Sequence, residues 1–500
     1  MLASGLSIRD SSSGWEDSRR ACNCRSRRGT KVNELRIAQS QVNLLQPEFT
    51  TDQPDLQTIL ALVYEPLMQW RSGRVTPGLV TSCEVRNDGR SWLLTIRDDA
   101  RFHDGSPCTN EQVVQSLERM RGAGGSFGMG GVYSPYLEPL SFEPIGKTEL
   151  LAESSAPTGD LADIFAAVYV GKQTGTAEPP LGTGPFRVEE YVEGELLRLS
   201  SVHRPDNDSQ FSELIILQIG SASDRYSALL KGQVDLATGL ELLPSIPEND
   251  GLTWGKTTNT LSVTGFLNGY EIPFSQPDAR LAINLAVDVD EIIDNVWPGL
   301  AEPAATVVSP FHLGFSDALR PHGCDPERAK ELFDACDMPE ELVLRTPLVI
   351  PDRAPQVAEM IQGQLSRIGI RVRIEEETDR PKYALDTSQK RIGHMSLFDS
   401  SPLSTYRVLQ EKISSQTQGL WWQGVKDSKA DQLISAAHLS IDNCKRREAY
   451  SRCLSWLHEN PHWLYLYHPV KLFAHRTELS GIDMDHAGLI RPGPAPSRGA

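Results

Sequence analysis

Short strand-like segments and amphipathic helical runs follow one another along almost the whole chain, and no other feature narrows the fold as far as this alternation. Chains built that way form α/β architectures. At 500 residues the chain is too long for one ordinary core, so two or three folding units are expected.

Leu35–Ala38 reads as a first strand. Leu56, Ile59, Leu60, Val63 and Leu67 recur at helical spacing, which predicts a helix stopped near Pro66. Cys83–Arg86 and Ser91–Arg97 flank Asn87-Asp88-Gly89-Arg90, a hairpin signal. Thr109 with Gln112 forms a capping box before the helical face of Val113, Leu117 and Met120. A helical run is expected over Leu161–Tyr169, then a tight turn at Gly182–Pro185 and a second hairpin around Glu193-Gly194. Ser223 is expected to cap a short helix. Asp325-Pro326 pairs an N-cap with proline in the first helical turn. Leu342–Ile350 reads as a strand. Helices are predicted over Ala354–Ile368, Ser428–Leu439 and Cys444–His458, followed by separate strands at Trp463–Tyr467 and Lys471–Ala474.

A net charge of −17 argues against a nucleic-acid partner, because phosphate backbones select basic surfaces. No apolar run is long enough to span a membrane. Residues 1–33 read as a polar, basic, disordered tail without the apolar core of an export signal. The chain as written is therefore expected in the cytoplasm, or in the periplasm or outside the cell if its true N-terminus lies upstream. The cysteines are scattered, so free thiols are expected.

Three motifs invite an enzymatic reading, and local context argues against each. His458-Glu459-Asn460-Pro461-His462 has H-E-x-x-H spacing, but Pro461 interrupts the helix that this zinc chemistry requires. Gly124-Gly125-Ser126-Phe127-Gly128 has G-x-S-x-G spacing, but it follows a helix instead of a strand. The same glycine-rich loop matches no phosphate-binding pattern. Histidines 458, 462, 468 and 475 lack partners at ligand spacing. No catalytic residue, metal site or cofactor is therefore assigned. Asn207-Asp208-Ser209 is a glycosylation pattern that matters only outside the cytoplasm.

Several ordered segments carry a resemblance. They are Val63-Tyr64-Glu65-Pro66-Leu67, Thr76-Pro77-Gly78-Leu79, Phe102-His103-Asp104-Gly105-Ser106-Pro107, the stretch from Gly182-Thr183-Gly184-Pro185-Phe186 to Tyr191, Ala279–Asp288, Asp325–Lys330 and Leu365–Ile370. In that order and spacing they resemble the family 5 solute-binding proteins of ABC transporters, the oligopeptide, dipeptide and nickel-binding type. Val289 stands where the family has a basic residue, which marks a divergent member.

The resemblance implies a two-lobed periplasmic-binding-protein-like (type II) α/β fold with an inserted third subdomain. Residues 34–275 plus 471–500 would form lobe 1, with the insertion at about 81–181, and residues 276–470 would form lobe 2. A ligand would be clamped between them. Asp399 occupies the place of the aspartate that anchors a peptide's amino group in the peptide binders, and Tyr406 stands where the nickel binders have a histidine. Tyr383, Tyr406, Trp421 and Trp422 are candidate cleft aromatics by position. Two adjacent tryptophans on a regular strand cannot both face one core. The implied function is binding a small peptide or similar organic solute, ancestrally for an ABC importer, by a monomer. The alternative is a cytosolic member of the same fold that binds or transforms a small molecule, such as an isomerase or cyclase.

Overall fold

The Glu34–Gln39 strand sits in mid-sheet, parallel to Glu213–Gln218 on one side and to Leu236–Thr238 on the other. The computed structural model describes residues 33–71, 73–124, 131–173, 180–202, 209–247 and 251–493. From that strand the sheet extends outward through Leu196–Ser201 to Phe186–Val192, the second hairpin expected from sequence. In the other direction it passes through Trp463–Arg476, Ser262–Leu267, Met395–Ser400 and Leu342–Pro347 to Val372–Glu377.

The two lobes therefore share a sheet, joined by Trp463–Arg476. This segment is one strand of 14 residues, where the sequence pattern predicted two. Pro469 does not break it, because the edge strand Ala301–Pro303 pairs there. Its burial is nearly continuous, as for a strand covered on both faces. Helices Pro277–Ala286, Val289–Val296 and Ala354–Arg367 cover the second lobe's strands and share their apolar cluster.

A separate four-stranded antiparallel sheet orders Val80–Arg86, Ser91–Ile96, Glu149–Ser154 and Leu140–Ile145. Its own apolar cluster includes Trp92, Leu94, Val113, Leu117 and Phe165. The Asn110–Gly122 helix opens with the capping box of Thr109 and Gln112. The chain returns from this unit through Gly182 and Gly184. A Cβ on Gly182 would meet the Val63 carbonyl oxygen at 2.0 Å, so this close approach excludes any side chain there.

Four local expectations shift. The first helix ends at Val63, because Pro66 forces the residue before it out of helical backbone; Glu65-Pro66 and Met68–Arg71 are strands. Ser221, not Ser223, caps the Ala222–Leu230 helix, accepting from the Asp224 backbone N–H. The helix at Leu161 stops at Phe165, and Tyr169–Lys172 is a strand. The strand expected over Leu342–Ile350 ends at Pro347, and Leu348, Val349 and Ile350 stand exposed beyond it. Among the described residues six cysteines are free thiols: 83, 108, 324, 336, 444 and 453. Cys22, Cys24, most of the glycine-rich loop after Gly124, and the Asn207-Asp208 pair lie outside the described residues.

Candidate ligand-binding cleft

A cavity of about 1380 Å³ lies between the lobes. It exceeds the roughly 300–1,000 Å³ of typical small-ligand pockets. One wall includes Asn43, Asp52 and Tyr136, and the opposite wall includes Arg380, Asp399 and Trp421. The crossing strands contribute Val263, Tyr467 and Lys471 to its lining.

The five candidate residues separate into two groups. Asp399, Tyr406 and Trp421 line the cavity, whereas Tyr383 and Trp422 do not. Asp399 lies inside the Met395–Ser400 strand, one residue from its end, with 18% of its side chain exposed. The Arg380 guanidinium approaches it to 3.7 Å and lies over the rings of Phe398 and Tyr383 at 5.1 and 5.8 Å. Trp421 packs on Phe398 with ring centroids 4.9 Å apart. Tyr406 stacks on His438 at 3.9 Å and meets Tyr136 edge-on at 6.0 Å, so it bridges elements of both walls.

Tyr383 is fully buried behind the wall, its hydroxyl donating to the Leu397 carbonyl at 2.7 Å. Trp422 is also buried, with its indole N–H donating to the Val425 carbonyl at 3.0 Å. Trp421 and Trp422 sit in a turn segment, not on a strand, and their side chains part there: one lines the cavity and the other is buried away from it. Both Tyr383 and Trp422 satisfy their one polar group internally, as buried aromatics must, and neither presents a face to the cavity.

No local sequence pattern marks the contacts that hold the walls together. Arg407, only 2% exposed, donates from Nη1 and Nη2 to the two carboxylate oxygens of Asp52, each at 2.7 Å. Its Nε donates to Glu411 at 2.7 Å, and the Tyr136 hydroxyl donates to the same Glu411 oxygen at 2.9 Å. The guanidinium also lies 4.5 Å over the Tyr133 ring. A bidentate arginine–carboxylate pair is among the strongest polar contacts and fixes orientation as well. A second contact joins the inserted unit to the far lobe. There Asp160 accepts from the Tyr450 hydroxyl at 2.7 Å and lies 3.0 Å from His438 Nδ1. The hydrogen-bonded pairs that cross between the walls join residues 275 to 355 positions apart, beyond the reach of any local motif.

The histidines have structural partners. His458 Nδ1 lies 2.8 Å from the Ala305 carbonyl, and the helix carrying it ends at Glu459, so His462 is not on it. His462 Nε2 lies 3.2 Å from Asp427. Among the described residues no group of three or more His, Cys, Asp or Glu side chains is placed to hold a metal ion.

Residues 74–405 match the family described as bacterial extracellular solute-binding proteins, family 5, middle region. The chain belongs to this family. This family 5 protein is 24% identical over 476 residues to the dipeptide-binding protein of Escherichia coli K12, covering 85% of this chain and 87% of that one. Its fold matches that of the periplasmic binding protein DppA from Helicobacter pylori, solved in complex with the peptide STSA, with a TM-score of 0.75. That match has 21% identity and covers 91% of this chain and 96% of that one. The substrate-binding protein CtaP from Listeria monocytogenes gives a TM-score of 0.78 at 17% identity, covering 90% and 96%. The lobes, the shared sheet and the cavity between them are thus the family's two-lobed type II fold, and binding a solute is the family's function. Among the described residues no helix is long and apolar enough to cross a membrane.

Proposed function

We propose that this family 5 protein clamps a short peptide, or a similar amine-bearing organic solute, between its lobes and presents it to an ABC importer outside the cytoplasm. The observation that carries this is Asp399, a carboxylate on the wall of a large cavity between two lobes. A partly buried carboxylate there meets a ligand ammonium with a charge-assisted hydrogen bond. Trp421 and Tyr406 supply aromatic faces for the ligand's apolar parts. Arg380 keeps Asp399 from standing as an uncompensated charge when the cleft is empty. The E. coli dipeptide-binding protein and the H. pylori protein bound to STSA support a peptide. The extracellular description of the family supports action outside the cytoplasm over the cytoplasmic expectation drawn from residues 1–33.

Titration calorimetry with a dipeptide series tests the anchor. Asp399→Asn is expected to weaken binding by about tenfold or more, the scale of one hydrogen bond to a charged group. Unchanged affinity removes Asp399 from the site. Fractionation of cells expressing the native gene tests the location, and full-length protein retained in the cytosol sinks the importer role.

A further inference from the structure

The seam between the inserted unit and the far lobe brings two carboxylates onto one guanidinium. Asp160 and Asp163 stand one helical turn apart at the start of the Leu161–Phe165 helix. Arg446, on the Asn443–Glu459 helix of the far lobe, meets both. Asp160 is the better served. It accepts from the Tyr450 hydroxyl at 2.7 Å, lies 3.0 Å from His438 Nδ1 and has Arg446 Nε at 3.6 Å. Its side chain is 2% exposed. Asp163 has Arg446 Nη2 at 3.3 Å, and the same guanidinium also donates to the Gly159 carbonyl. The seam is tight. The Gly159 backbone N–H donates to the His438 carbonyl at 2.7 Å, and a Cβ on Gly159 would meet the Ser440 carbonyl oxygen at 2.3 Å.

Two ionised carboxylates against one guanidinium leave a negative charge uncompensated in a dry seam, which is costly. A proton on the poorer-served carboxyl removes that charge. Burial raises Asp163 well above the usual carboxylate range, the charge of Asp160 adds to this, and Arg446 opposes it only in part. Tyr450 faces both carboxylates, and burial holds its phenol protonated. His438 and Tyr406 face Asp160 from the ends of two further helices, Ser428–His438 and Thr405–Lys412. Tyr406 stacks on His438 and lines the cavity, so the seam adjoins the wall that a ligand touches.

We infer that this cluster is a proton-linked latch: closing of the lobes moves one proton from solvent onto the Asp163 carboxyl, and the clamp closes more firmly in a mildly acidic medium than in an alkaline one. The inference rests on the clamp reading and adds a regulation to it. Asp163 is raised in the closed state and ordinary once the lobes part into water. The proton therefore favours closure at low pH, and that advantage is lost as pH rises from about 4 through the raised value, by up to about tenfold per pH unit.

The test is titration calorimetry of the full chain with the dipeptide series, at pH 6.5 in phosphate and in imidazole, whose ionisation heats differ. The difference in binding heat counts the protons taken up. The wild type is expected to take up a large fraction of one proton, with affinity rising as pH falls from 7.5 to 5.5. Asp163→Asn keeps the outline of the neutral carboxyl. It is expected to lose the uptake and to bind at pH 7.5 at least as tightly as the wild type, which loss of a merely structural ion pair would not do. No uptake by the wild type overturns the latch and leaves the clamp standing. Undiminished uptake by Asp163→Asn, or weaker binding by it at every pH, also overturns it. If no dipeptide binds, the peptide reading fails, and solution scattering without ligand decides the latch. A larger radius of gyration at pH 8 than at pH 5.5 in the wild type, absent in Asp163→Asn, keeps it, and equal radii in the wild type overturn it. Should Asp163→Asn fail to fold, Asp163→Ser takes its place in both arms.

Discussion

The two lobes meet along two seams of opposite chemistry. At the hinge the Trp463–Arg476 strand is held by backbone ladders, to Leu236–Thr238 and Leu252–Thr258 along one part and to Ser262–Leu267 along the other. Its side chains are largely apolar and buried, among them Trp463, Leu464, Leu466 and Tyr467. Across the cleft polar tips meet, Arg407 on Asp52, Tyr136 on Glu411 and Tyr450 on Asp160, beside a few ring contacts such as Tyr406 on Tyr136. A hinge of ladders and buried rings comes apart only by unfolding. A latch of one ion pair and hydrogen bonds can exchange its partners for water, so it is the seam at which opening is expected.

Damage to the hinge gives the severest test of this contrast. Trp463 is 1% exposed and packs on Phe266 with centroids 5.0 Å apart. Trp463→Ala should cost about 3–5 kcal/mol in urea unfolding, with both lobes lost in one transition. Separate transitions for the lobes would show that the shared strand does not couple them.

Acid probes the hinge next. Burial lowers His468, whose Nδ1 lies 3.1 Å from Ser262 Oγ, from 6.5 to about 4. The unfolded chain takes up this proton near pH 6.5 and the folded chain only near 4. Stability from this group is therefore complete above pH 6.5 and falls as pH drops towards 4, by roughly 3 kcal/mol. His468→Gln should flatten that part of the stability profile by one proton. An unchanged profile would place the acid sensitivity elsewhere, for example at His312.

The latch should respond in shape more than in unfolding. Asp52→Asn keeps the outline of the side chain and removes its charge. The closed state should lose roughly 1.5–3 kcal/mol, with a larger radius of gyration in ligand-free solution scattering and little change in urea unfolding. A drop in global stability as large as that of Trp463→Ala would erase the distinction between the seams. The smallest effect belongs to Tyr136→Phe, which removes only the hydroxyl donor to Glu411 and should weaken closure by about 1 kcal/mol, read as faster amide exchange in the Thr405–Lys412 helix.

Local chemistry was legible wherever a few neighbouring residues settle the outcome. The capping box of Thr109 and Gln112, the Asp325-Pro326 helix start and the hairpin around Asn87–Arg90 stand where their side chains and turn residues dictate. The strand opening at Leu342 ends at Pro347, short of the apolar run that Leu348, Val349 and Ile350 continue. An apolar run shows what a segment could bury, and these three side chains find nothing to cover them.

The candidate site was legible only in part. Asp399 is named by the family resemblance alone, and the structure puts it on the cavity wall. Which aromatic rings face the cleft could not be read, since Tyr383 and Trp422 are of the same residue types as Tyr406 and Trp421, which do face it. Their burial depends on the Leu397 and Val425 carbonyls that take up their donors. Arg407 carried no signal, because nothing nearby in sequence distinguishes it from a helix-surface cation.

The α/β class and most caps and turns follow from short-range patterns, and the two-lobed fold is what the resemblance to the family implies. It took the packed lobes to make Trp463–Arg476 a single strand shared by both, and to bring Asp52 onto Arg407 across 355 positions. The two kinds of outcome differ in range. A cap or a turn is settled by hydrogen bonds within a few residues, whereas burial and ion pairing depend on which distant segments the folded lobes bring together.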